Sequence, residues 1–139
     1  MVNSESVRRD QTILVVEDAE AVRKLVCTML SHDGYQCLEA SDGAEALEVV
    51  ERAGDIHLVL TDVVMPQMGG PELARHLAVR RPDVRIIFMS GYTEDPLVHR
   101  MEKLSTIFLP KPFTAAALSG KVRQALEQPW RGLPEGARL

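Results

Sequence analysis

The stretch "LVLTDVVMPQMGG", Leu58 to Gly70, is an apolar run that stops at an aspartate and is followed by Met-Pro, a second Met and two glycines. The run is continuous rather than alternating, which is the pattern of a strand buried on both faces of a parallel sheet. A carboxylate at the end of such a strand is costly unless something pairs with it. The fold therefore turns on which strands flank this one, and the chemistry on what converges on Asp62.

Three further runs share the pattern: "TILVV" from Thr12, "RIIFMS" from Arg85 and "TIFL" from Thr106. "YQCLEA" from Tyr35 is weaker and reads as an edge strand. Helical patterns lie between them. Val22, Leu25, Val26, Met29 and Leu30 form one apolar stripe, and Leu118, Val122 and Leu126 another at spacing four. Asp42, three residues before Glu45, is a capping pair for "DGAEALEVV", and Pro71 sits where a first helical turn tolerates proline. "RRPDV" stops that helix at Pro82. The segment Thr93 to Leu104 is the weakest helix, with Pro96 permitting only a late start. Strands alternating with helices imply an α/β fold with right-handed crossovers. Five units in this length suit a flavodoxin-like, doubly wound parallel sheet of order 2-1-3-4-5 with helices on both faces.

The bulk numbers agree with one such domain. The chain has 139 residues, 45% hydrophobic and 26% charged. A net charge of −4 argues against non-specific nucleic-acid binding, which needs a basic face. No apolar stretch is long enough to span a bilayer, and "MVNSESVRRD" lacks the apolar core of a signal peptide, so a cytoplasmic location is expected. Cys27 and Cys37 have no metal-binding spacing and read as reduced thiols. The expected organisation is a polar segment over 1–11, the domain over 12–127 and a Pro/Gly-rich tail over 128–139, largely mobile, with Trp130 available to dock on a partner or back on the domain.

In a sheet of this kind the ligand site lies beyond the carboxyl ends of the strands. The first strand ends in Glu17-Asp18, the third in Asp62, the fourth in Ser90-Gly91 and the fifth in Lys111-Pro112. Singly, each has a plain structural reading: Asp18 as a helix cap, Lys111 as a surface charge, Ser90 as the start of a turn. Together they place three acids, a hydroxyl and a lysine on one sheet edge. Crowded carboxylates repel, so one takes up a proton or a cation sits between them. Hard oxygens with room for water suit Mg²⁺. Lysine and hydroxyl add the charge and hydrogen bonds that favour a phosphoryl group moving onto a carboxylate oxygen.

The motifs "ILVVEDAEAVR", "VLTDVVMPQMGG", "IIFMSGYTE" and "FLPKPFT" resemble those of the response-regulator receiver domain of two-component signalling, over roughly Thr12 to Leu126. The resemblance implies that Asp62 is the phosphoacceptor, and that Asp18, Asp62 and the main-chain carbonyl of Val64 bind Mg²⁺, with Glu17 acting through a water. It implies that Ser90 bonds the phosphoryl oxygens and Lys111 pairs with the phosphate. Pro66 and Gly70 would shape the loop, Lys111-Pro112 would be cis, and Phe108 would be the switch aromatic beside Ser90. Val64 and Tyr92 would flank the approach of hydrolytic water. Two departures keep the chemistry: Glu-Asp replaces the commoner Asp-Asp, and serine the commoner threonine. The motif style most resembles receivers at the C-terminus of hybrid histidine kinases, while a free-standing regulator fits equally.

The expected partners are a histidine kinase or histidine phosphotransfer protein and a downstream protein contacting the face of the fourth helix, fifth strand and fifth helix. Direct DNA binding and membrane insertion are not expected, and the chain would be a monomer or weak dimer. It would catalyse transfer onto itself in a two-component system or phosphorelay without being a turnover enzyme. Other classes fit less well. An aspartyl-phosphate phosphohydrolase of the haloacid-dehalogenase type would need D-x-D, which Asp62-Val63-Val64 lacks; a nucleotide or flavin binder would need a glycine-rich loop, and none appears. A degenerate receiver serving only as a scaffold is disfavoured by the complete site.

Overall fold

The computed structural model describes residues 11–91, 96–103 and 107–133. Five parallel strands, β1 (Thr12–Val16), β2 (Gln36–Ala40), β3 (Leu58–Asp62), β4 (Arg85–Ser90) and β5 (Phe108–Pro110), lie in the order β2-β1-β3-β4-β5. The helices are α1 (Glu20–His32), α2 (Gly43–Arg52), α3 (Gly70–Arg80), α4 (Pro96–Glu102) and α5 (Ala115–Glu127). This is the flavodoxin-like order expected from the sequence, with β2 at one edge and β5 at the other. β3 pairs with β4 along its whole length and with β1 from Leu58 to Thr61, and all five of its residues are buried. That burial explains its unbroken apolar pattern.

Because neighbouring side chains on a strand point to opposite faces, the sheet builds two cores. On one face Ile13, Val15, Leu58, Leu60, Ile87 and Met89 meet Val26 and Leu30 of α1 and Leu118 and Val122 of α5. On the other face Leu14, Val59, Ile86 and Phe88 meet Ala46 and Val50 of α2 and Leu73 and Leu77 of α3. Leu25, read as part of the α1 stripe, is 55% exposed. Its position on the edge of the stripe leaves it outside the sheet contact.

Local signals set the helix ends. The Asp42 carboxylate accepts from the Glu45 amide at 2.8 Å, and the Glu45 carboxylate reaches back to the Ser41 hydroxyl at 2.7 Å. Thr114 caps α5 through the Ala117 amide at 3.0 Å. α4 begins at Pro96, as the late start required. At α1 the N-cap is Ala19, with no side-chain bond to the helix, so Asp18 is not spent on capping.

The chain beyond α5 turns back onto the domain. Trp130 and Leu133 pack against the core on the α2–α3 face of the sheet, and Arg85 Nη2 donates to the Gln128 carbonyl at 2.8 Å. Among the described residues no helix is long and apolar enough to cross a membrane.

Candidate functional site

Three strand ends and one loop build the site. β1 runs directly into Glu17 and Asp18, β3 ends on Asp62, β4 ends on Ser90, and the turn after β5 carries Lys111. Oxygens of Glu17, Asp18 and Asp62 all lie within 4.8 Å of one another. Glu17 is 2% exposed and Asp62 9%, whereas Asp18 opens to solvent. Lys111 Nζ donates to Glu17 Oε2 at 2.5 Å and to Asp62 Oδ2 at 3.2 Å. One ammonium thus pairs with the two buried carboxylates, and the exposed Asp18 completes the acid cluster.

The balance of burial and charge separates the acids. Burial pushes the Asp62 carboxyl up; Lys111 offsets part of this and the neighbouring Glu17 charge adds to it, so the group titrates at about 6 instead of 3.8. Burial also acts against Glu17, but hydrogen bonds from Lys111 and the Ala19 amide outweigh it and hold its carboxyl below the usual value. Lys111 loses by burial and gains more from Glu17 and Asp62, so its ammonium is held above its ordinary range. Of the two buried acids, Asp62 is therefore the one with the less compensated charge, on the oxygen-rich side that a cation would share.

The loop after Asp62 is tied down closely. The Gly70 amide donates to the Val63 carbonyl at 2.9 Å, and Met68 to the Pro66 carbonyl at 2.8 Å; Gln67 takes φ 67° at the tip. A Cβ on Gly70 would press into the Asp62 carbonyl oxygen and lie 3.2 Å from Phe88 Cδ1, so only glycine lets α3 start this close to β3. Val64 follows with its side chain 52% exposed. The Ser90 hydroxyl donates to its neighbour's carbonyl, Gly91, at 3.3 Å, and the Ser90 carbonyl accepts from the Lys111 amide at 2.8 Å. The Lys111–Pro112 bond is cis. Phe108 is 4% exposed, inside the core with Val98 and Ile107. Tyr92 lies outside the described residues.

Chemically this is a buried carboxylate beside a lysine ammonium and two further acids, at the carboxyl edge of a parallel sheet. Residues 13–123 match the response regulator receiver domain family. The chain belongs to that family. The receiver domain is similar to sensor kinase CckA of Brucella abortus, with 43% identity over 119 residues that cover 84% of this chain and 13% of that protein. It is also similar to sporulation initiation phosphotransferase F of Bacillus subtilis, at 29% identity over 84% of this chain and 94% of that protein. Among solved structures, the receiver domain from hybrid histidine kinase CckA aligns with TM-score 0.68 and 35% identity, covering 84% of this chain and 99% of that one. The chain spans 13% to 51% of the length of the first four curated relatives it matches.

The structure brings Glu17, Asp18, Asp62 and Lys111 of this receiver domain together, with Ser90 one strand away. Sequence reasoning missed Arg23. Its Nη1 donates to the Glu17 carbonyl at 2.9 Å and its Nε to Glu39 Oε1 at 3.0 Å, tying the acid-bearing turn between β1 and α1 to β2. The signal was present as an arginine one turn into the helix that follows the acid pair, on the side facing β2.

Proposed function

We propose that Asp62 is the phosphoacceptor of this receiver domain and that transfer onto it is catalysed by the domain's own residues. The observation that carries the reading is the position of Asp62: buried at the end of the central strand, 3.2 Å from Lys111 Nζ and clustered with Glu17 and Asp18. An Asp62 oxygen attacks phosphorus in line; the new O–P bond forms as the P–N bond to a donor imidazole breaks. Lys111 stays beside Asp62 and meets the charge of the incoming phosphoryl group. Ser90 reaches the same group by turning its hydroxyl away from the Gly91 carbonyl.

The donor set fits Mg²⁺. Its oxygens are hard, one acid is open to solvent, and Asp62 carries charge that Lys111 does not fully compensate. Asp18, Asp62 and the Val64 carbonyl would hold the ion, Glu17 would act through a water, and the bound ion would neutralise phosphoryl oxygens. Phe108 already lies inside the core, so movement of Ser90 would be read out through the packing around that ring in the face of α4, β5 and α5. Val64, with Tyr92, would shield the phosphorus from water; faster decay of the phosphoprotein in Val64→Asn tests this.

A histidine kinase or histidine phosphotransfer protein as donor, and a cytoplasmic setting, go with this reading. The donor surface is supported by an apolar groove that opens beside Lys111, lined by Val22, Leu25, Val26, Met29, Gly91 and Phe113. The test is incubation with acetyl phosphate and Mg²⁺ followed by intact-mass measurement. The wild type should gain one phosphoryl group and Asp62→Ala none. Equal labelling of both would overturn the assignment.

A further inference from the structure

Away from the acidic site, the molecule's two cysteines stand on facing elements. Cys27 lies on α1, and Cys37 on β2 in register with Ile13 of β1. Both pack in the core that α1 and α5 build on the sheet. Cys27 is 9% exposed, Cys37 is partly open, and both thiols are free. Cys27 in that core and Cys37 packed against it lie close enough for each thiol to act on the other's ionisation, with Ser31 beside Cys37. Lys24 and Arg23 add positive charge near Cys27, opposed by Glu39. Cys37 draws the Cys27 thiol below its ordinary value against the opposing effect of burial, while Cys27 and burial push the Cys37 thiol up, so Cys27 is the sulfur with more thiolate character. Neither thiol serves the phosphoacceptor chemistry, and α1 and β2 are joined by the short turn Asp33 to Tyr35.

We propose that Cys27 and Cys37 form an oxidisable dithiol, which a hydroperoxide converts to an intramolecular disulfide between α1 and β2. One cysteine sulfur, as thiolate, attacks the peroxide; an S–O bond forms, the O–O bond breaks, and the leaving oxygen takes up a proton. The second sulfur then attacks the sulfenic sulfur. The S–S bond forms as the S–O bond breaks, and the oxygen leaves as water. Overall two thiols are oxidised by two electrons and one peroxide is reduced to an alcohol (or water) plus water. A water-sized oxidant suits this site because Cys27 is nearly sealed, whereas a bulky disulfide would not reach it. The staple would fix α1, which carries Arg23 against the Glu17 carbonyl and lines the groove beside Lys111.

The experiment treats the folded wild-type chain with hydrogen peroxide, removes the peroxide, unfolds the chain in guanidinium chloride with N-ethylmaleimide so that every remaining thiol is alkylated, and measures intact mass, with peptide mapping of the cysteine segments. Untreated protein should take two labels. Treated protein should take none, show the two cysteine peptides joined with two hydrogens lost, remain monomeric on a non-reducing gel, and recover both labels after dithiothreitol. Cys27→Ser and Cys37→Ser should each abolish the joined peptides. A wild type that keeps both labels, that adds oxygen to one sulfur while the other stays free, or that links only between chains overturns the proposal.

Discussion

Replacing Asp62 by Asn should make the metal-free protein more stable, although the residue is the centre of the site. The Asp62 carboxyl is raised from 3.8 to about 6, chiefly by burial, with Lys111 opposing and Glu17 adding. At pH 7 the acid is ionised in both folded and unfolded chains, so the native state carries the cost of holding that charge. Each pKa unit corresponds to ~1.4 kcal/mol, which puts the cost at up to about 3 kcal/mol. Asparagine resembles the protonated acid, removes the repulsion from Glu17, and can still accept from Lys111. A gain of about 1–3 kcal/mol is expected, a shift of roughly 1 M in the urea midpoint. The sign in pH follows from the raised value. Through the window between 3.8 and about 6 the native chain holds a proton that the unfolded chain has released, so stability falls as pH rises. Glu17, held below 4.5, contributes in the opposite sense and loses its contribution only in more acid solution. Urea unfolding of wild type and Asp62→Asn in a chelator, from pH 4.5 to 7, should therefore show two curves that diverge as pH rises. An Asp62→Asn protein no more stable than wild type at pH 7 would show that Lys111 fully compensates the charge, and would refute the reasoning.

Mg²⁺ should raise the melting temperature of the wild type by binding the native state, and Asp18→Asn should weaken that response; a wild-type melting curve indifferent to Mg²⁺ would count against the cation site. Gly70→Ala should cost about 1–3 kcal/mol, because its new methyl meets the Asp62 carbonyl and Phe88, and urea unfolding should show it even in the presence of Mg²⁺. Trp130→Ala should cost about 1–3 kcal/mol by thermal or urea unfolding, less than a fully buried tryptophan, since Trp130 is only partly buried against the core.

Much of this was legible because burial on both faces leaves a strong mark on sequence. The runs "TILVV", "HLVLT" and "RIIFMS" could be read as central strands without a partner in view, and β2, weaker in pattern, is at an edge. The strand ends then named the candidate residues through the rule that ligands sit at the carboxyl edge. What the sequence concealed depends on reach. Arg23 is an ordinary helix residue until its guanidinium spans to the Glu17 carbonyl and to Glu39, contacts that no local pattern encodes. Leu25 fits the apolar spacing of α1 yet faces outward, because a stripe defined by period alone is wider than the strip that a sheet can cover. Trp130 shows the same limit in reverse. It sits in Pro/Gly-rich chain with no periodicity, and its packing against the core depends on where α5 happens to end.

The resting site also shows how stability and reactivity draw on the same arrangement. Lys111 approaches Glu17 more closely than Asp62, 2.5 Å against 3.2 Å, so the lysine's nearest partner is the acid that would not react. Glu17 is further anchored by the Ala19 amide at 3.1 Å, while Arg23 holds its main chain. The effect is to fix the ammonium in place without neutralising Asp62. An under-compensated carboxylate is more basic, and a more basic oxygen is the better nucleophile toward phosphorus. The same imbalance lowers native stability and leaves a place for a divalent cation. A tighter Lys111–Asp62 pair would relieve the strain on the fold, but it would also draw charge from the attacking oxygen. With Asp62 as the proposed phosphoacceptor, the closer contact to Glu17 would keep Lys111 beside the reaction centre while Asp62 retained its basicity.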